Sequence, residues 1–226
     1  MVEMNIYFIG KETYPEFKSA TIEECYEYLK DETLISIDIE TTRKYGGKYT
    51  GEGLEPHLTN IVMLQIGDKK RQYVIDYRYT DISPLLPLLL DPKITFLGHN
   101  VKFEYKHLFH NTGVRLENLY DTMIVEQILF NGLNKKASLE ALNLKYLGIQ
   151  VNKATRLEFL TIGDRPFTID QITYGAQDVI HPLLIREKQL VDIERKQIHN
   201  CVNLEMLFIP VLGDIEYKGM HFNKIQ

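Results

Sequence analysis

Hydrophobic and polar residues alternate along residues 34–40, which is the pattern of a β-strand with two different faces. Three isoleucines form the apolar face, and the polar face consists of Ser36, Asp38 and Glu40. Shorter apolar segments rich in β-branched residues predict three more strands, at residues 61–66, 72–75 and 94–97. A tight turn at residues 67–70 is expected to join the first two of these.

The second half of the chain is predicted to be mainly helical. An early helix at residues 22–30 begins with a capping box, and later helices are predicted at residues 100–109, 122–130, 139–147, 169–195 and 201–217. Pro182 lies inside the longest of them and is expected to kink it or to end its first part, because proline lacks a backbone donor. Strands followed by helices predict an α/β or α+β fold with helices packed on a sheet.

The composition narrows the class of protein. The chain has 226 residues, of which 44% are hydrophobic and 25% charged, and these values exclude a disordered or fibrous protein. A chain of this length is expected to form one large core. Its formal net charge is -5, whereas a protein that binds nucleic acid by electrostatics alone is normally basic. A nucleic-acid substrate therefore requires a local basic surface or bound metal ions.

Cysteine usage and hydropathy suggest a compartment. Cys25 and Cys201 are far apart and have no metal-binding spacing, which fits a reducing cytoplasm. The longest apolar stretch, residues 82–90, is too short to cross a bilayer, and the first residues lack the features of a signal peptide. We therefore expect a cytoplasmic protein that has no membrane partner.

The candidate chemistry rests on polar residues that share a face of their element. Asp38 and Glu40 leave the same face of one strand, roughly 6–7 Å apart along the chain. Two further pairs are spaced four residues apart on predicted helices, which places both members on one face: Asn100 with Glu104, and Tyr174 with Asp178. Carboxylates on an otherwise apolar strand are costly unless a positive charge compensates them, and Mg²⁺ or Mn²⁺ is the simplest compensation.

Carboxylates from a strand and two helices are what two-metal phosphodiester hydrolysis requires. Two ions roughly 3.5–4 Å apart activate a water molecule and stabilise the leaving oxygen. A nearby phenol orients the attacking water by a hydrogen bond. The polar pairs of this chain include the residue types that such a reaction needs.

Three segments, residues 37–42, 98–104 and 174–178, resemble the three motifs of the DEDD (DnaQ-like) 3′–5′ exonucleases. The third has the Tyr-x-x-x-Asp form of the tyrosine subclass, and Thr173 stands where the histidine subclass has its histidine. The resemblance implies a ribonuclease H-like α/β fold, in which a mixed central β-sheet is flanked by helices. Order, spacing and predicted structural setting agree for all three motifs.

The resemblance extends over nearly the whole chain. Residues 53–67, 120–123 and 145–149 are similar to segments of family A DNA polymerase proofreading domains and of ribonuclease D. Residues 208–220 resemble the segment that joins such an exonuclease to its polymerase domain. We therefore expect an exonuclease domain at residues 1–198 and a helical tail at residues 199–226. A family A polymerase is the implied partner, in cis or in trans.

The resemblance also implies roles for individual residues. Asp38, Glu40 and Asp178 would hold the metal that activates water, Asp38 would bridge to a second ion, and Tyr174 would orient the water. Glu104 stands where the family usually has aspartate and would act as the fourth, longer acidic ligand. Because a small displacement of a catalytic group is costly, about a hundredfold in rate, this substitution raises the alternative of a catalytically weak module.

Substrate contacts are implied next to the same motifs. Asn100 and the backbone around Thr41 and Thr42 would contact the 3′-terminal nucleotide. Residues 43–52 form an insertion after the first motif, and its basic and tyrosine residues either grip single-stranded nucleic acid or form a solvated loop. Asp121 is expected to cap the helix that follows it rather than to bind metal.

The resulting prediction is a metal-dependent 3′–5′ exonuclease that releases nucleoside monophosphates from single-stranded DNA ends as a proofreading module. Two alternatives stay open. One keeps the chemistry and changes the substrate to RNA, as in ribonuclease D. The other is a nucleic-acid-binding module without catalysis, which Glu104 supports. A monomer is expected.

Overall fold

The computed structural model describes residues 3–44, 54–131, 133, 136–150 and 154–219, and its strands form one sheet. The strands are β1 (Ile6–Ile9), β2 (Lys18–Ser19), β3 (Leu34–Arg43), β4 (Thr59–Gly67), β5 (Gln72–Asp76), β6 (Thr95–Gly98) and β7 (Asn118–Asp121). Their spatial order is β2-β1-β5-β4-β3-β6-β7. Strand β4 is antiparallel to both of its neighbours, and every other adjacent pair is parallel. The predicted mixed sheet is confirmed.

Helices cover this sheet, which confirms the predicted α/β class. They are α1 (Ile22–Leu29), α2 (Leu86–Leu89), α3 (Lys102–Thr112), α4 (Thr122–Leu129), α5 (Leu139–Leu142), α6 (Ala154–Phe159), α7 (Ile169–Lys196) and α8 (His199–Lys218). A 3-10 turn precedes α2, and a π-helical turn, Asn143–Leu147, follows α5. In the described part of the chain, no helix combines the length and apolar content needed to cross a membrane.

Strand β3 lies in the interior of the sheet and is buried on both faces. Ile35 and Ile37 on its apolar face are fully buried, and Ser36 on its polar face is fully buried as well. The polar face is covered because α7 packs across the sheet, in contact with β1, β3, β4, β5 and β6. The predicted strand is confirmed, but its polar face is an interior surface.

Helix α7 runs without interruption through Pro182. The expectation that this proline ends the first part of the helix is therefore wrong. Pro182 is buried, as are its neighbours His181 and Leu183. Packing of the helix against the sheet outweighs the single backbone hydrogen bond that proline cannot make.

Helix α8 packs against α3 and β7. A Cβ atom on Gly213 would lie 2.6 Å from the ring of Tyr105, so the two helices approach closely at this glycine. The described part of the predicted tail thus packs on the rest of the fold, while residues 220–226 lie outside the described residues. The proposed boundary between residues 198 and 199 stays a prediction.

Candidate active site

Strand β3 supplies the first two carboxylates of the candidate site. Asp38 lies opposite Gln65 on β4, and Glu40 lies opposite Met63. The register of the two strands shifts immediately after Glu40, as it does at a β-bulge. Bulges bend a strand and re-aim its side chains, and they are frequent beside active sites.

Helix α7 brings the third carboxylate to this face of the sheet. A Cβ atom on Gly175 would lie 2.9 Å from Gln65 Nε2 and 3.0 Å from Met63 Sδ, the two residues that pair with Asp38 and Glu40. The missing side chain lets α7 approach β4 directly at the two positions that pair with the acids of β3. Asp178 follows Gly175 by about one helical turn and therefore reaches the same place.

Asp38, Glu40 and Asp178 are brought together. One carboxylate oxygen from each lies within 4.8 Å of the other two, and within the described residues this is the group of His, Cys, Asp and Glu side chains that suits a metal ion. Glu40 and Asp178 are only 7% and 6% exposed. Three negative charges at this separation and burial repel one another, so a cation would stabilise them. Carboxylate oxygens are ligands that Mg²⁺ and Mn²⁺ accept, so the donor set fits a divalent cation.

Glu104 lies in the first turn of α3 and is buried, with 2% exposure. It is not a member of the group formed by Asp38, Glu40 and Asp178. The structure therefore brings three of the four predicted acidic ligands together, and the metal-binding role of Glu104 stays a prediction. The same holds for Tyr174, which is partly buried on α7 four residues before Asp178.

The start of α3 is fixed by Asp121. Its carboxylate accepts hydrogen bonds from the backbone N–H groups of Asn100 at 3.0 Å and Val101 at 2.9 Å. It also caps α4 by accepting from Met123 and Ile124, which confirms its expected capping role. Burial raises the pKa of Asp121 above its usual value, and the hydrogen bonds from the four backbone donors offset only part of this rise. Asp121 thus ties the segment that carries the second motif to the adjacent helix.

The residues expected to contact substrate lie directly after Glu40 on β3 and between β6 and α3. Asn100 has a left-handed backbone conformation, with φ of 65°, at the junction between β6 and α3. Thr41 is buried, and the Thr42 hydroxyl donates to the Leu160 carbonyl at 3.1 Å. Substrate binding by these residues stays a prediction. Most of the insertion at residues 43–52 lies outside the described residues, which resume at residue 54.

Two residues of the site were not identified from the sequence pattern. Gly175 is the point at which α7 contacts β4. A glycine inside a long predicted helix, one turn before Asp178, was the sequence signal for this close contact. Gln65 is fully buried opposite Asp38, and neither of its amide atoms has a hydrogen-bond partner among the described residues. Only the pairing of β3 with β4 reveals this residue.

The basic residues of α3 are paired within the protein. Lys102 and Lys106 both form ion pairs with Glu216 of α8. The histidines of this region also make internal contacts: His107 with Thr59, and His110 with Tyr217. These lysines and histidines therefore contribute to the packing of α3.

A comparison with known proteins agrees with this geometry. Residues 17–194 match the family model described as 3′–5′ exonuclease. The chain is 34% identical over 121 residues to DNA polymerase I of Aquifex aeolicus, an alignment that covers 53% of this chain and 20% of the polymerase. It is 27% identical over 177 residues to ribonuclease D of Haemophilus influenzae, which covers 76% of this chain and 40% of that protein. The chain thus spans well under half the length of these relatives.

Solved structures show the same fold. Brucella melitensis NrnC bound to pGG superposes with a TM-score of 0.74 at 19% identity, over 99% of this chain and 98% of that one. Escherichia coli RNase D, an exoribonuclease involved in structured RNA processing, superposes with a TM-score of 0.72 at 23% identity. The match covers 94% of this chain and 51% of RNase D. The predicted ribonuclease H-like fold is confirmed.

Proposed function

The chain belongs to the 3′–5′ exonuclease family, and from this premise we propose that it shortens single-stranded DNA from the 3′ end and releases nucleoside monophosphates. It is an enzyme of the DEDD type, which favours hydrolysis over the non-catalytic binding module that Glu104 suggested. The proposal rests on one observation, the meeting of the Asp38, Glu40 and Asp178 carboxylates within 4.8 Å.

The residues of the site have distinct tasks. The Asp38, Glu40 and Asp178 carboxylates would hold divalent cations, and such ions, when bound, activate a water molecule and stabilise the leaving oxygen. Tyr174 would hold the attacking water in line by a hydrogen bond. Gly175 brings helix α7 against Gln65 of β4, and β4 pairs with β3, so the carboxylates of β3 and α7 are positioned before substrate arrives.

The first experiment tests the three carboxylates. Asp38→Asn keeps the size of the side chain and removes its charge, so we expect kcat/KM on a 5′-labelled single strand to fall about a thousandfold or more. Asp170→Asn is the matched control, because Asp170 is an exposed acid in the first turn of α7 and lies outside the group of three. Equal activity of wild-type protein and the Asp38→Asn variant would overturn the proposal.

DNA is the proposed substrate, and RNA is the second candidate. The polymerase relative, at 34% identity, supports DNA and a proofreading role. Ribonuclease D relatives support RNA, since they align over 72–76% of this chain. A solved Trypanosoma brucei RNase D, in complex with RNA U12, shares the fold with a TM-score of 0.64.

Matched 5′-labelled DNA and RNA strands of one sequence separate these candidates. With Mg²⁺ or Mn²⁺, we expect a ladder that shortens from the 3′ end and forms faster on DNA. Faster degradation of RNA would assign the ribonuclease D-like activity instead. A polymerase, in cis or in trans, is the partner that a proofreading role implies.

A further inference from the structure

Helix α8 presents an apolar face that the described residues do not cover. Its inner face is formed by Val202, Met206, Ile209 and Gly213, all of which are buried. Five large apolar side chains on its outer face are exposed to solvent: Leu204 (68%), Leu207 (69%), Phe208 (47%), Val211 (48%) and Ile215 (51%). We call these five residues the α8 stripe. A contiguous exposed apolar patch of this kind is typical of an interaction surface.

The stripe is displayed on a fixed helix. Asp214 accepts hydrogen bonds from Tyr105 Oη at 2.8 Å and from Arg115 Nη1 at 2.7 Å. Glu216 pairs with Lys102 and Lys106 of α3. Because these contacts and the buried inner face hold α8 in place, the stripe needs no rearrangement to receive a partner.

The charges of α8 indicate what kind of partner fits. Glu205, Asp214 and Glu216 are acidic, and Lys218 is the only lysine or arginine of this fully described helix. A nucleic acid or an anionic membrane would require basic residues around the apolar face. An apolar protein surface fits the stripe better.

The spacing of the stripe points to a second copy of this chain. Leu204, Phe208, Val211 and Ile215 are separated by four, three and four positions, the spacing of a and d residues in a coiled coil. This spacing reads the same in both directions, so the same four side chains can pair with one another about the twofold axis of an antiparallel dimer. In an antiparallel pair, Leu204 faces Ile215 of the partner subunit, and Phe208 faces Val211 of the partner subunit.

We propose that the protein forms a homodimer through antiparallel packing of α8 against α8 of the second copy. The stripe offers roughly 500 Å² of apolar surface per copy, somewhat less than the 600–1,000 Å² per partner of a typical stable interface. Leu207, which belongs to the stripe, also lines a groove of about 460 Å³ between α7, α8 and β7. A dimer would differ from the monomer expected from the sequence, and it does not depend on the proposed activity.

Sedimentation of the whole chain over about 1 to 100 μM tests the dimer, for which we expect a dissociation constant of micromolar order. The mass should rise from 26.4 kDa toward twice that value as concentration increases. Phe208→Glu places a charge in the centre of the stripe and should weaken association at least about a hundredfold. Phe208→Ala, which adds no charge, should weaken it less.

Leu157→Glu is the matched control, because Leu157 is 68% exposed on α6 and lies outside the stripe. It should leave association unchanged, and circular dichroism should show that all three variants are folded. A monomer at every concentration would overturn the proposal. Equal weakening by Leu157→Glu and Phe208→Glu would overturn it as well.

Disulfide trapping tests the antiparallel arrangement. In a Cys201→Ser background, chains carrying Leu204→Cys are mixed with chains carrying Ile215→Cys and oxidised. The proposed pairing predicts a mixed disulfide between the two kinds of chain, with few disulfides within either kind. Preferential cross-linking of Leu204→Cys chains to each other would contradict the antiparallel dimer.

Discussion

Asp121 holds the second motif, residues 98–104, in position by hydrogen bonds to its backbone. One of its carboxylate oxygens accepts from Asn100, Met123 and Ile124, and the other accepts from Val101. An asparagine at this position has only one acceptor oxygen, and its amide group would face a backbone donor. The residue therefore supports both the cap of α4 and the entry into α3.

We expect Asp121→Asn to lower the free energy of unfolding by about 1–3 kcal/mol, because a buried donor loses its acceptor. Cleavage should slow as well, since Asn100 and the first turn of α3 lose their anchor. Urea unfolding and single-turnover cleavage measure the two effects. Ser138→Ala removes the cap of α5, far along the chain from Asn100, and should cost about 1 kcal/mol with no change in cleavage rate. Full activity of the Asp121→Asn variant would show that the anchor is dispensable.

Sequence reasoning identified the acids but not all of their supports. Asp38 and Glu40 stand out because a polar pair interrupts an apolar strand, and Asp178 stands out through its spacing from Tyr174. Gln65 gives no such signal, because its importance comes from a strand pairing that brings distant parts of the chain together. Glu104 is predicted as a fourth acidic ligand from the second motif, and this role stays a prediction.

At the scale of elements, the contact of α7 with β4 decides whether the three carboxylates meet. Gly175 lies where a Cβ atom would come within 2.9–3.0 Å of the Gln65 side chain and of Met63 Sδ. Any side chain at this position pushes the helix away from the strand or displaces Gln65. Since Asp178 is carried by the same helix, its distance from Asp38 would change with the helix position.

We expect Gly175→Val to destabilise the fold by about 1–3 kcal/mol through overpacking and to reduce metal-dependent cleavage more than tenfold. Gly175→Ala should show the same effects to a smaller degree. Urea unfolding gives the stability, and a titration with Mn²⁺ shows whether the metal requirement has risen. A matched control is Lys188→Val, at an exposed position of the same helix. If Gly175→Val cleaved as fast as wild type, the close contact of α7 with β4 would not be required for catalysis.

Elements with long, regular patterns were predicted, and so was the short strand β6 from its apolar residues, but three other short strands were missed. Strand β3 and helix α7 carry alternation or a capping box over enough residues to be recognised. Strands β1, β2 and β7 have four, two and four residues, so no periodicity develops. They form because a neighbouring strand supplies their hydrogen bonds, β6 in the case of β7. The same dependence on packing explains why Pro182 does not end α7.

At the scale of the whole molecule, two buried histidines link stability to pH. Burial lowers the pKa of His107 to about 4, and burial lowers the pKa of His181 to about 4. In the unfolded chain both titrate near 6.5. Each is therefore neutral in the folded protein at a pH where the unfolded chain already binds a proton. Their contribution to stability is complete above about pH 6.5 and is lost as the pH falls toward 4.

The linkage predicts a loss of about 3 kcal/mol per histidine between pH 6.5 and pH 4. His181→Gln removes one titrating group. As the pH is lowered over this range, the free energy of unfolding of this variant should therefore fall less steeply than that of the wild type. Asn200→Gln, which changes no titrating group at an exposed position on α8, should leave the slope unchanged. Carboxylates that titrate in the same range affect all three proteins alike, so the difference between slopes isolates His181. Identical slopes for wild type and His181→Gln would mean that this histidine accepts a proton in the folded state as readily as in the unfolded chain.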